Sequence, residues 1–143
     1  MYKNILVTLD NSAVDSSILA HIRPLARLTG AGITLVHVAD GFGARLQDQL
    51  NLQDSEEIQG DRAYLDQETE KLTAEGFKAS GVLVQGQEVA QGILSVAREN
   101  GCDLIAMATH GHGPVKSMIL GSVAGALRHL TDIPILMIRS HNK

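Results

Sequence analysis

A chain of 143 residues, 44% apolar and 20% charged, has the size and balance of one globular domain, which excludes disordered, collagen-like and coiled-coil readings. Its net charge of −4 argues against a general attraction to nucleic acid or anionic membrane, and with no Trp, two Tyr and two Phe it lacks a base-stacking platform. A single cysteine, Cys102, excludes an internal disulfide framework and a cysteine-rich zinc site.

The chain runs straight into Ile5-Leu6-Val7 with no secretory h-region. No apolar run reaches the ~18–20 residues of a membrane span. The expectation is a cytoplasmic protein without membrane insertion, one domain over residues 1–143.

Ile5-Leu6-Val7-Thr8-Leu9 is short, continuous and rich in β-formers, as suits a strand buried on both faces. Asp10-Asn11-Ser12 breaks it, and Ser12 with Asp15 forms a candidate capping box. Ile18, Leu19, Ile22, Leu25 and Ala26 then recur at helical spacing, Pro24 predicts a kink and Gly30 closes the helix. Residues 33–38 read as a second strand. Residues 39–54 lack a period, contain Gly41 and Gly43, and are expected to form a flap beside the crevice described below.

Ser55-Glu56-Glu57 is expected to open a polar helix with one narrow stripe, Ile58, Leu65 and Leu72, ended by Gly76. A third strand follows at Gly81-Val82-Leu83-Val84. The next helix shows Val89, Ala90, Ile93, Leu94 and Ala97 and stops at Asn100-Gly101. Residues 104–108 form a fourth strand and residues 109–114 a loop. Gly121-Ser122 is expected to open the last helix, with Ser122 as its cap, and Ile135-Leu136-Met137-Ile138 is the last strand.

Strands that alternate with helices imply a parallel sheet covered on both faces. Right-handed crossovers leave few arrangements, and the expected one is a doubly wound five-stranded α/β sheet in the order 3-2-1-4-5. Ligands of such sheets bind beyond the carboxyl ends of the strands, where the order reverses between strands 1 and 4. Two loops meet there: Asp10-Asn11-Ser12 and the stretch from Thr109 onward. Gly111, Gly113 and Gly121 allow close backbone approach, and Ser122 adds a hydroxyl at a helix start, which together suit a phosphate. Asp10 can hold a ribose hydroxyl or a metal on the phosphates. Glycines after strands also make ordinary turns, and Ser is a common cap, so spacing alone leaves both readings open.

The stretch from Gly111 to Gly121-Ser122 fits the end of the G-x2-G-x9-G-[ST] pattern of universal stress proteins. Residues 4–10 resemble that family's first strand and its acidic residue, Val36-His37-Val38 its second strand, residues 103–111 its fourth strand and loop, and Pro134-Ile135-Leu136 its closing strand. The resemblance spans the chain. It implies a Rossmann-like fold of the adenine nucleotide alpha hydrolase-like type, usually homodimeric, in an ATP-binding subclass that acts as a stress sensor or regulator. By position it places Thr8, Leu9 and Asp10, Val38 beside the adenine, and Met107, Ala108, His110, Gly111, His112 and Gly113 around the nucleotide, with Gly121, Ser122 and Val123 at the phosphates and Mg2+ near Asp10. Ala108 stands where the motif has its first glycine.

No G-x4-G-K-[ST] is present, the pattern around Gly41 and Gly43 lacks the third dinucleotide-binding glycine, and Ser122 is misplaced for a nucleophile elbow. His110 and His112, two apart on a glycine loop, read as loop residues. His37 reads as a satisfied structural histidine. Hydrolysis needs an oriented water and a base, and Asp10 is the obvious candidate, so at most weak ATP hydrolysis is expected. The rival reading keeps the fold without a nucleotide, as a dimeric module for a regulatory protein partner. In either reading the apolar edge strand Ile135, Leu136, Met137 and Ile138 is expected to form the homodimer contact.

Overall fold

Along the chain run β1 (Asn4–Leu9), α1 (Val14–Thr29), β2 (Gly32–Val38), α2 (Asn51–Ala74), β3 (Ala79–Val84), α3 (Val89–Glu99), β4 (Leu104–His110), α4 (Val115–Leu130) and β5 (Ile135–Ser140). The computed structural model describes residues 1–38, 51–84, 88–110 and 115–140, with side chains described for all of these except 38, 51–58, 109–110, 115–121 and 140. The strands form one parallel sheet in the order β3-β2-β1-β4-β5, as the alternation predicts.

The pleat sends alternate side chains of β1 to opposite faces. Ile5, Val7 and Leu9 join one core with Ile18 and Ile22 of α1 and Leu65 and Leu72 of α2. Leu6 joins the other with Ile93 and Leu94 of α3 and Leu127 of α4. Both faces are therefore covered, which explains why β1 reads as an uninterrupted apolar run. Helix α2 lies directly on β3: a Cβ at Gly81 would stand 2.7 Å from Thr69 Oγ1 and 3.0 Å from Leu65 Cγ, so this contact requires glycine.

Two element bounds and one helix cap differ from expectation. Helix α2 begins at Asn51, so residues 51–54, expected in the flap, are helical. Leu52 and Gln53 are good helix formers, and Asp54 complements the positive end of the helix dipole. The rest of the expected flap, 39–50, lies outside the described residues. The Ser12–Asp15 capping box is also not formed: the cap of α1 is Ala13 without a side-chain bond, and Asp15 turns back toward the loop instead. Helix α1 continues through Pro24, which stands on its exposed side. Strand β4 runs through Thr109 and His110, beyond the expected end at Ala108.

The amino-terminal end of the sheet is closed by side chains. Asn4 Nδ2 lies 2.9 Å from Thr34 Oγ1, 2.9 Å from the Asn100 carbonyl and 3.3 Å from Cys102 Sγ. The Asp103 carboxylate accepts the backbone N–H groups of Lys3 and Asn4.

Candidate functional site

The order reverses beside β1, which pairs with β2 on one side and β4 on the other. The crevice beyond their carboxyl ends is the place such sheets offer a ligand. Thr8 and Asp10 both come to it from the end of β1. Thr8 shares the face of Leu6, toward α3 and α4, and is 3% exposed. Its Oγ1 is buried without a hydrogen-bond partner, the one such side-chain atom among the described residues. Buried polar groups are nearly always paired, so this hydroxyl calls for an explanation. Asp10 follows the strand, half-buried, and its Oδ2 accepts from Ser12 Oγ at 3.2 Å.

The other expected site residues are placed differently. Leu9, Met107, Ala108 and Val123 all belong to the core, at 2%, 0%, 4% and 8% exposure. The Ala108 methyl packs with the α1-side core, on the face opposite Thr8 and Met107, and its φ is not positive. The glycine-to-alanine departure at this position therefore does not fill the face that carries the Thr8 hydroxyl. Val38 and His110 end β2 and β4, with side chains outside the described set, and Gly111, His112 and Gly113 lie outside the described residues altogether.

Gly121 and Ser122 do not open the last helix. Helix α4 starts at Val115, so both lie inside it, and Ser122 is exposed. Only the first four N–H groups of a helix lack an internal partner. Those belong here to Val115, Lys116, Ser117 and Met118. The sequence misleads because Gly121-Ser122 looks like a break followed by a cap, while Val115 follows Pro114 rather than a capping residue.

The loop after β1 is held by a network. The Asp15 oxygens accept the backbone N–H of Asp10 and that of Asn11, each at 2.8 Å. Tyr64 Oη donates to Asp15 Oδ2 at 2.5 Å. Asn11 Nδ2 donates to Asp61 Oδ1 at 3.3 Å, and Asp61 Oδ2 lies 3.2 Å from His37 Nε2. His37 Nδ1 lies 3.1 Å from the Leu9 carbonyl oxygen. Burial pushes the Asp15 carboxyl above the usual carboxylate range, against the hydrogen bonds from Tyr64 and from the amides of the loop. Burial and then the Asp15 carboxylate push the Tyr64 phenol upward, which keeps it a donor.

His37 is thus a satisfied buried histidine, as expected, but the network around it was not foreseen. A signal was present. Asp15 falls four residues before Leu19, and Asp61 four before Leu65, so each puts a carboxylate on an otherwise apolar helical stripe. Among the described residues no three His, Cys, Asp or Glu side chains gather to hold a metal ion, and no helix is long and apolar enough to cross a membrane.

A doubly wound sheet with an acidic loop at its switch point defines a class of α/β binding proteins. Residues 1–139 match the model of the universal stress protein family, and the chain belongs to that family. A universal stress protein of Methanocaldococcus jannaschii is 25% identical over 159 positions, covering 99% of this chain and 98% of its own. Its solved structure matches with a TM-score of 0.82 at 26% identity, over 100% of this chain and 99% of that one. A family member from Burkholderia pseudomallei matches with a TM-score of 0.71 at 32% identity, over 97% of each chain. A universal stress protein of Archaeoglobus fulgidus, solved in complex with dAMP, shares the fold with a TM-score of 0.67 at 24% identity, over 96% of this chain and 98% of its own.

Proposed function

We propose that this chain, acting as one domain, is a cytoplasmic regulator that binds ATP, with Mg2+, at the β1/β4 crevice and reports its occupancy rather than turning it over. The observation that carries the reading is the unpartnered, buried Thr8 hydroxyl at the crevice end of β1. A ligand offering it a hydrogen bond relieves the cost of leaving it unpaired. Asp10, next but one, supplies a carboxylate for a ribose hydroxyl or for a cation carried on the phosphates. The bound nucleotide would bring the negative charge and the metal, and this chain would bind and orient it. The first-turn amides of α4 are better placed to meet phosphate than those of Gly121 and Ser122, which the helix uses internally. The Archaeoglobus complex is consistent with the fold carrying an adenine nucleotide.

ATP at a hundred times its dissociation constant should stabilise the fold by about 2.7 kcal/mol. At roughly 2–4 °C per kcal/mol for a chain of this size, the melting midpoint should rise by roughly 5–11 °C. Mass spectrometry of ligand released from the purified protein should show an adenine nucleotide. An unmoved midpoint at millimolar ATP, with no nucleotide released, would sink the reading.

The second reading, a homodimeric interaction module for a regulatory protein partner, draws on β5. This strand is a sheet edge, and Met137 on it is 41% exposed. It borders a groove of about 530 Å³ lined by Ala124, Arg128, Ile133 and Ile135. Along this edge Ile135, Leu136, Met137 and Ile138 carry no charge to discourage pairing, and Arg139 follows them near the strand's end. Pairing of two copies along β5 would cover it. Light scattering should give a dimer for the unaltered chain and a monomer for Met137→Lys. A monomer at high micromolar concentration would rule the contact out.

A further inference from the structure

We propose that Asp15, backed by Tyr64 and Asp61 of α2, is the positioning residue that presents Asp10 to a bound nucleotide, an inference that rests on the nucleotide reading above. Asp10 has little of its own to hold it: its side chain meets Ser12 Oγ at 3.2 Å. Its backbone N–H, by contrast, is held by Asp15, and its neighbours on either side are held as well. Asp15 takes the N–H groups of Asp10 and Asn11 at 2.8 Å each, and His37 reaches the Leu9 carbonyl at 3.1 Å. The last residue of β1, Leu9, and the first two of the loop, Asp10 and Asn11, are therefore each tied to α1 or β2.

The loop needs this restraint. Asn11 has φ +56°, the one non-glycine residue with positive φ among those described. Left-handed backbone is costly for L-residues and persists where surrounding bonds over-determine it. Asn11 is held from two directions, by its amide on Asp15 and its side chain on Asp61 at 3.3 Å. Helix α2 then fixes both carboxylates, through Tyr64 on Asp15 and through the Asp61–His37 pair at 3.2 Å.

This arrangement decides what the loop can bind. The amides of Asp10 and Asn11 are already spent on Asp15, so these two are not free to cradle a phosphate. What remains open toward the crevice is the Asp10 carboxylate, an acceptor that suits a sugar hydroxyl.

Tyr64→Phe removes one hydroxyl and keeps the ring that packs on the α1-side core. In the full chain, well below the melting midpoint, NMR-detected exchange of the Asp10 and Asn11 amides should quicken about tenfold, the equivalent of losing one hydrogen bond to a charged group at the weaker end of its range. Calorimetric titration should show AMP and Mg-ATP weakened by the same factor, about three- to tenfold. Asp15→Asn, with a donor facing the Asn11 amide, should show the same pattern more strongly. Faster amide exchange with unchanged affinity, unchanged exchange, or a loss confined to ATP would each overturn the proposal. Absence of any nucleotide binding by the unaltered chain is a separate result: it removes the nucleotide reading itself, while the exchange data still report whether Tyr64 holds the loop.

Discussion

Thr8→Val should make the nucleotide-free protein more stable and its response to ATP weaker. The side chain is 3% exposed and its hydroxyl has no partner among the described residues. Val has nearly the same shape and is at least as good a strand former. The exchange removes an unpaired polar atom whose burial costs on the order of 1–3 kcal/mol. The midpoint should therefore rise by a few degrees, at roughly 2–4 °C per kcal/mol. The rise produced by saturating ATP should shrink, because the ligand loses the group it would satisfy. Most buried Thr→Val changes break a hydrogen bond and destabilise, so the sign is diagnostic. A lower midpoint would mean that the hydroxyl is paired in solution without any nucleotide.

Leu65→Ala should be the most damaging single truncation of α2. Leu65 and Leu72 are the buried apolar residues on the described part of this helix, both at 0% exposure. Leu65 also lies against the bare backbone of Gly81 on β3. Removing a buried leucine to alanine costs about 2–5 kcal/mol, with the larger values where the site cannot collapse. A helix seated on a rigid strand has little room to follow. The midpoint should fall by roughly 4–20 °C. Because α2 also carries Asp61 and Tyr64, exchange at the Asp10 and Asn11 amides should quicken too. A small fall, under about 1 kcal/mol, would show that α2 contributes little to the fold.

The sheet was legible in the sequence because its signals are local and strong. Parallel strands covered on both faces are continuous apolar runs, and Ile5 to Leu9 and Leu104 to Ala108 need no partner to be recognised. The strand order followed from handedness and the number of crossovers. Helix starts were harder. The helices begin at Asn51 and Val115, four and six residues before the starts expected at Ser55 and Gly121, because helix-forming residues there continue the period without a breaker to mark the boundary. Two residues singled out in the sequence, Thr8 and Asp10, stand at the carboxyl end of β1, where the sheet order reverses. The network was hidden because its members, Asp15, His37, Asp61 and Tyr64, come from three different elements. Only the folded chain shows that two carboxylates on apolar stripes meet the same loop.

Cys102 gives the two ends of the sheet different accessibilities to chemistry. It is the single cysteine of the chain, 6% exposed, within 3.3 Å of Asn4 Nδ2, and burial raises its thiol pKa. A thiol reagent reaches it only when the amino-terminal end of β1 and β4 comes apart. Its labelling rate is therefore a clock for opening of the sheet itself, at the end remote from the crevice. An engineered surface cysteine near Asp10 would carry a fluorophore without background from Cys102. The same molecule would then report loop motion by fluorescence and global opening by slow alkylation, on two timescales that do not interfere.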